Sequence, residues 1–141
     1  MPSFEDVEIG DKIGPLETEA TDEGVATFCQ VWGRPAPNRF TDPGMAKKAG
    51  LDGPIVPGNM AIAIVTRLLN QWAGPGSLSD LDVVFRQPVP HHQPLVVSAT
   101  VTDTRWEGGQ NLVECDLMMT GANGEWYVGG KAVVSLATRT M

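Results

Sequence analysis

Met60-Ala61-Ile62-Ala63-Ile64-Val65-Thr66-Arg67-Leu68-Leu69-Asn70-Gln71-Trp72-Ala73, closed by Gly74-Pro75-Gly76, is the stretch on which the fold turns. Ala61, Ile64, Val65, Leu68 and Trp72 fall on one helical stripe, and Ile62 and Leu69 widen it beyond what a surface helix carries. Such a helix is predicted to be surrounded on most sides. Its most apolar part, Met60 to Leu69, is about half the length a bilayer requires and runs into Asn70-Gln71, so it reads as a core helix. Gly74-Pro75-Gly76 stops it.

Downstream of that stop the periodicity changes from helical to two. The alternating sets are Leu81, Val83, Phe85; Leu95, Val97, Ala99, Val101; Val113, Cys115, Leu117, Met119; and Gly130, Ala132, Val134, Leu136. Glu107-Gly108-Gly109 and Ala122-Asn123-Gly124-Glu125 supply turns between the last three, and Asn-Gly is a strong hairpin signal. These strands are expected to form an antiparallel meander.

Upstream, residues 12 to 19 read as a short first strand. Thr21 then caps a helix with Asp22 and Glu23 against its positive dipole end. Val25, Phe28, Cys29 and Trp32 mark its apolar face, ending at Gly33. From Arg34 to Gly58, five prolines and four glycines leave room only for a short helical turn around Met45 to Ala49. Loops of such length inside a compact domain are commonly functional. The whole pattern predicts an α+β fold in which a single curved sheet wraps a central helix.

With 141 residues the chain is expected to form one domain, 1–141, built around that helix. A net charge of −7, from 17 acidic against 10 basic side chains, argues against nucleic acid, since a phosphate backbone would be repelled. The start, Met1-Pro2-Ser3-Phe4-Glu5-Asp6, lacks a basic segment followed by an apolar one, so a cytoplasmic protein with no membrane association is expected. Cys29 and Cys115 are too few for a disulfide framework or a four-ligand metal set and are expected to be buried free thiols. No metal or cofactor is called for.

The order and spacing of these elements resemble the MaoC-like branch of the hot-dog fold, the (R)-specific enoyl-thioester hydratases and dehydratases. The resemblance spans nearly the whole chain. Its specific parts are Phe4-Glu5-Asp6-Val7 with Ile9-Gly10-Asp11, Thr21-Asp22-Glu23-Gly24-Val25, Asp42, Ala46, Gly50-Leu51, Gly53-Pro54-Ile55-Val56, and Val84-Phe85-Arg86-Gln87-Pro88-Val89. It implies a hot-dog fold, an antiparallel curved sheet around one long helix. It also implies acyl-CoA or carrier-protein thioesters as ligands, and pairing as a homodimer or as a heterodimer with another hot-dog subunit.

The same resemblance implies a catalytic loop of the form Gly-Asp-x-Asn-Pro-x-His, whose Asp and His hold a water and act as base and acid when it adds across an enoyl double bond. Here the corresponding segment is Gly33-Arg34-Pro35-Ala36-Pro37-Asn38-Arg39-Phe40. Aligned on Gly33 and Pro37, the Asp position holds Arg34 and the His position holds Arg39. Neither accepts a proton, because a guanidinium stays charged. The family also uses backbone N–H groups at the start of the central helix to hold the thioester oxygen. The matching stretch, Pro57-Gly58-Asn59-Met60, keeps the glycine.

Several residues therefore carry two readings. Arg34 and Arg39 are ligands for a carboxylate or for the phosphates of a CoA arm, or else surface arginines in a loop that has lost its role. Asp42 and Asn38 are the nearest remaining catalytic candidates, yet Asp42 also suits the cap of the turn that follows. Pro57, Gly58, Asn59, Met60 and Arg86 are substrate-binding candidates, with Arg86 either structural or approaching a CoA phosphate. His91 and His92, in Pro90-His91-His92-Gln93-Pro94, are a relocated base or a weak metal site, or a solvated turn. The solvated turn is favoured, because neighbours in an extended chain point to opposite faces. Trp32 and Trp72 are expected in the core; Trp106, Trp126 and Tyr127 are expected there by default, with a dimer edge or ligand tunnel as the alternative.

The resulting expectation is a catalytically degenerate MaoC-like subunit of a homomeric or heteromeric hydratase. The alternatives are a hot-dog enzyme repurposed for thioester hydrolysis, isomerisation or cyclisation, and a non-catalytic acyl-CoA-binding protein.

Overall fold

In a computed structural model, described over residues 1–139, α3 (Gly58–Ala73) lies against a five-stranded antiparallel sheet. The other elements are β1 (Lys12–Thr18), α1 (Asp22–Val31), α2 (Pro43–Lys48), β2 (Leu78–Phe85), β3 (Leu95–Glu107), β4 (Gln110–Gly121) and β5 (Trp126–Ser135). A short 3-10 turn, Phe4–Asp6, precedes them. This is the hot-dog arrangement that the sequence predicts.

The central helix starts at Gly58, two residues before the predicted start at Met60. Pro57 has no N–H to lose, and its φ of −59° and its carbonyl, which accepts from Met60 and Ala61, set the first turn. Ala61, Val65, Leu68, Leu69 and Ala73 are buried, whereas Ile64 and Trp72 are half-buried. The packed stripe is thus rotated toward Leu69. It meets residues of β1, β2, β3 and β5, so the sheet curls round it.

Alternation holds through β3, β4 and β5: Leu95, Val97, Ala99, Val101, Val113, Cys115, Leu117, Met119, Ala132, Val134 and Leu136 are all buried. Burying one Val or Leu side chain contributes about 1.5–3 kcal/mol, so this face anchors the sheet. Gly108 (φ 60°) and Gly109 (φ 78°) close the β3–β4 hairpin, the two left-handed positions that a tight primed turn needs.

The expected four-strand meander is corrected. The strand order is β1-β3-β4-β5-β2, so only the last three strands form a meander. β1 takes the outer edge of β3, with Ile13 opposite Ala99, while β2 pairs with β5, with Val84 opposite Gly129. The connection from β2 to β3, residues 86–94, crosses from the β2 edge of the sheet to β3, beside the opposite edge strand β1. Three prolines, Pro88, Pro90 and Pro94, keep it from closing as a hairpin. As an edge strand, β2 leaves its last inward position, Phe85, 51% exposed. No helix among the described residues is long and apolar enough to cross a membrane.

Candidate functional site

The loop after α1 is built around aromatic rings. Arg34 lies 4.7 Å over Trp32, Trp32 is 6.0 Å from Phe40, and Arg39 lies 4.5 Å over Phe40. Two guanidinium faces are thus stacked on a pair of adjacent rings, each worth about 0.5–1 kcal/mol at an exposed site. Neither arginine has a carboxylate in ion-pair range among the described residues. Their N–H edges remain available to an anion.

Asn38 is engaged within the loop. Its Nδ2 donates to the Arg34 carbonyl at 2.8 Å, and its Oδ1 accepts from the Phe40 N–H at 2.9 Å. Asp42 is the N-cap of α2, accepting from the Met45 N–H at 2.8 Å, with Pro43 in the first helical position. This is why α2 begins before Met45. Both residues hold the backbone of the loop, and neither lines the two cavities described below.

The N-terminal end of α3 opens on a cavity of ≈ 320 Å³ lined by Ile55, Val56, Gly58, Ala61, Phe85, Arg86, Gln87, Pro88 and Val89. Pro57 offers no side-chain cap, and the first turn holds no acidic residue. The N–H groups of Gly58 and Asn59 have no intramolecular acceptor among the described residues. Orphan amides at a helix N-terminus attract partial negative charge. Gly58 leaves room for it: a Cβ there would stand 3.1 Å from the Phe85 ring. Pro57 is buried, Asn59 exposed and Met60 half-buried. Arg86, on the cavity wall, is stacked 3.9 Å over Trp126. Gly58 and Arg86 are therefore brought together, while Arg34 and Arg39 are not brought to this cavity within one chain.

A larger cavity of ≈ 680 Å³ adjoins the first, sharing Ile55, Gln87 and Pro88. Its walls include Asp22, Gly50–Ile55, Pro90, His91, His92, Glu125 and Tyr127. Here the expectation of a solvated histidine turn holds for His92, Gln93 and Pro94, which are exposed, and is corrected for His91. His91 is 9% exposed; its Nδ1 lies 2.7 Å from Asp22 Oδ1 and its Nε2 3.1 Å from the Ile55 carbonyl. His92 Nε2 also reaches Asp22 Oδ1, at 3.1 Å. The two rings share one carboxylate because His92 adopts φ 58°, which turns the chain instead of extending it. Asp22, read from sequence only as a helix-dipole residue, was the partner that reasoning missed. The available signal was that both histidines of the chain stand together.

Hydrogen bonds from His91, then from His92, hold the Asp22 carboxyl below its ordinary range. Across the cavity, burial and then the nearby Glu125 push the Tyr127 phenol up. Of the tryptophans, Trp32 and Trp72 are half-buried, Trp106 is 72% exposed and Trp126 is 38% exposed, so the last two are not core residues. Tyr127 is buried.

Comparison with known proteins adds the following. The MaoC-like domain family model matches residues 40–122. Among solved structures, an (R)-hydratase from A. caviae involved in PHA biosynthesis is similar at 25% identity, TM-score 0.80, over 92% of this chain and 97% of that one. A MaoC-like dehydratase from Rhodospirillum rubrum is similar at 20% identity and TM-score 0.83 over 100% of both chains. The ChsH1-ChsH2 complex from Mycobacterium tuberculosis contains a chain similar at 16% identity and TM-score 0.80, over 92% of this chain and 98% of that one. No curated protein matches the chain.

Proposed function

We propose, from the premise that this chain belongs to the MaoC-like domain family, that it binds acyl thioesters and does not hydrate them with its own loop. The observation that carries this reading is the open end of α3. Gly58 and Asn59 offer unpaired N–H groups to a small, mostly apolar cavity, which suits a thioester oxygen with an acyl chain beside it. Arg86, and Arg34 and Arg39 with their free guanidinium edges, are suited to the anionic groups of a CoA or carrier-protein arm.

Hydration needs a group that takes a proton from water and one that returns a proton to the α-carbon. Arg34 and Arg39 occupy the positions from which the family does this, and a guanidinium does neither at physiological pH. Asp42 and Asn38 are already engaged with loop backbone. In this reading the whole chain, 1–141, is one hot-dog domain that works in the cytoplasm. It pairs with a second copy or with another hot-dog subunit, and in the latter case the partner supplies the Asp and His. Similarity to a chain of a two-component complex supports pairing of this kind.

The test is crotonyl-CoA presented to the purified chain. Saturable binding without loss of the enoyl absorbance is expected, with hydration appearing only when a MaoC-like subunit carrying the dyad is added. Hydration by this chain alone, abolished in Asp42→Ala, would overturn the reading. Binding without turnover even beside such a subunit would leave a binding protein.

One observation favours a second reading, that of a repurposed enzyme. His92 is half-exposed in the larger cavity, oriented by Asp22 through Nε2, and its Nδ1 makes no hydrogen bond among the described residues. A base so placed suits thioester hydrolysis, isomerisation or cyclisation. Consumption of an acyl thioester by the chain alone, lost in His92→Ala, would select it.

A further inference from the structure

We infer that His91 is a positioning residue for the amide-bearing end of α3, acting through the Ile55 carbonyl. The inference rests on reading that end as the thioester site, and its test below separates the two.

The approach to α3 has few polar handles. Pro54 and Pro57 carry no N–H, and the Pro57 carbonyl is taken by Met60 and Ala61 of the helix itself. The segment forms an antiparallel bridge with the β2–β3 connection, Ile55 opposite Pro90, and two bonds from Ile55–Val56 reach that connection. Val56 N–H donates to the Val89 carbonyl at 2.8 Å, and the Ile55 carbonyl faces His91 Nε2 at 3.1 Å. Ile55 lies three residues before Gly58, so its carbonyl bond fixes how the chain enters the first helical turn.

His91 is itself held from the other side. Asp22 Oδ1 lies 2.7 Å from Nδ1, and the His92 N–H donates to the Ala20 carbonyl at 2.8 Å, tying the same turn to the start of α1. Asp22 and the Ile55 carbonyl are both acceptors, so each contact is made by an N–H on the ring nitrogen that faces it. Apart from the Tyr127 phenol and the two cysteine thiols, His91 is the one polar or charged side chain buried among the described residues. Burying an imidazole costs desolvation that a hydrophobe would avoid, and here that cost is offset only by these two bonds. They join α1, the β2–β3 connection and the segment leading to Gly58; Asp22, His91 and Ile55 line the larger cavity, and Ile55 also lines the smaller one. Misplacing a binding group by about 1 Å is enough to lose up to about a hundredfold in function. The carbonyl bond is what prevents that for the Gly58 and Asn59 amides.

The test uses the full chain, titrated with crotonyl-CoA by calorimetry, with the ¹⁵N amide signals of Gly58 and Asn59 and the melting temperature followed in parallel. His91→Leu fills the site but donates nothing. It is expected to weaken binding by about tenfold, the scale of one lost hydrogen bond, and to shift both amide signals. Gln places its side-chain amide near the position of Nε2, and Asn places it near Nδ1. His91→Gln is therefore expected to restore affinity to within about threefold and to return both signals, whereas His91→Asn, which reaches only Asp22, is not. Should His91→Leu fail to fold, Asp22→Asn on the exposed side of the pair serves instead, with a smaller loss of affinity and shifts in the same direction.

Affinity and amide signals unchanged in His91→Leu would overturn the inference. So would equal rescue by Gln and Asn, or losses that merely track the melting temperature across the set, since those mark a packing role only. If wild-type protein binds no crotonyl-CoA, the thioester reading falls by itself. The Gly58 and Asn59 signals then decide the positioning role alone: unmoved in His91→Leu they refute it, and displaced but restored by Gln they support it.

Discussion

Gly58→Ala separates the stability of α3 from its use as a binding end. Gly58 sits in the first turn of α3 with helical backbone, so alanine is accommodated without strain there. Replacing glycine at a compatible site typically stabilises by about 0.4–1 kcal/mol through the unfolded state. Against this stands a new Cβ 3.1 Å from the Phe85 ring, tighter than an ordinary contact by a few tenths of an ångström. Phe85 is 51% exposed at the end of an edge strand and can give way. Displacing its side chain from its rotamer costs of order 0.5 kcal/mol. The two effects nearly cancel, so the melting temperature should stay within about 3 °C of wild type. The methyl group, however, projects into the ≈ 320 Å³ cavity beside the amides of Gly58 and Asn59, where the thioester oxygen would sit. Binding of crotonyl-CoA should weaken by about tenfold or more, which is about 1.4 kcal/mol. Paired thermal melts and calorimetric titrations read both quantities. Wild-type affinity at wild-type stability would refute the placement of the thioester at this helix end.

Three further outcomes follow from named groups. The Asp22 carboxyl is depressed by its hydrogen bonds from His91 and then His92, so its contribution to stability is present above its unfolded value and is lost as pH falls through the lower folded value. The acid limb of a denaturation-against-pH curve, below about pH 4, should therefore flatten in Asp22→Asn, and an unchanged limb would contradict the pairing. Burial pushes the Cys115 thiol up to about 11, and Cys29 is also buried, so a thiol reagent at about pH 8 should label neither until the protein is denatured; rapid labelling of native protein would show that the sheet face is open. Asp42→Ala should cost about 1 kcal/mol in chemical denaturation, the loss of an N-cap, while leaving crotonyl-CoA affinity unchanged. Lost binding at full stability would instead make Asp42 part of the site.

Much of the fold is legible in the sequence because burial imposes a period. The stripe of α3 and the alternation through Leu95–Val101, Val113–Met119 and Ala132–Leu136 each mark a face packed on the core, and the glycine and Asn-Gly turns fix the two hairpins. Alternation does not say which strand lies beside which. The β2 strand alternates like the others, yet it crosses to pair with β5, a choice made by its proline-bearing connection and by β1 taking the edge of β3. The glycine that opens α3 is legible in Pro57-Gly58-Asn59-Met60, and the two arginines of the loop after α1, Arg34 and Arg39, are visible directly. The Asp22–His91–His92 cluster is not legible, because it depends on one left-handed residue, His92, and on a contact between positions 69 residues apart. Neither leaves a periodic trace.

The most direct test of the central claim is a single titration in which the purified chain, without any partner, meets crotonyl-CoA while heat release and enoyl absorbance are recorded together. Saturable binding with the absorbance unchanged is the expected result. Steady loss of the absorbance with formation of the 3-hydroxy product, or no binding at all, would contradict it.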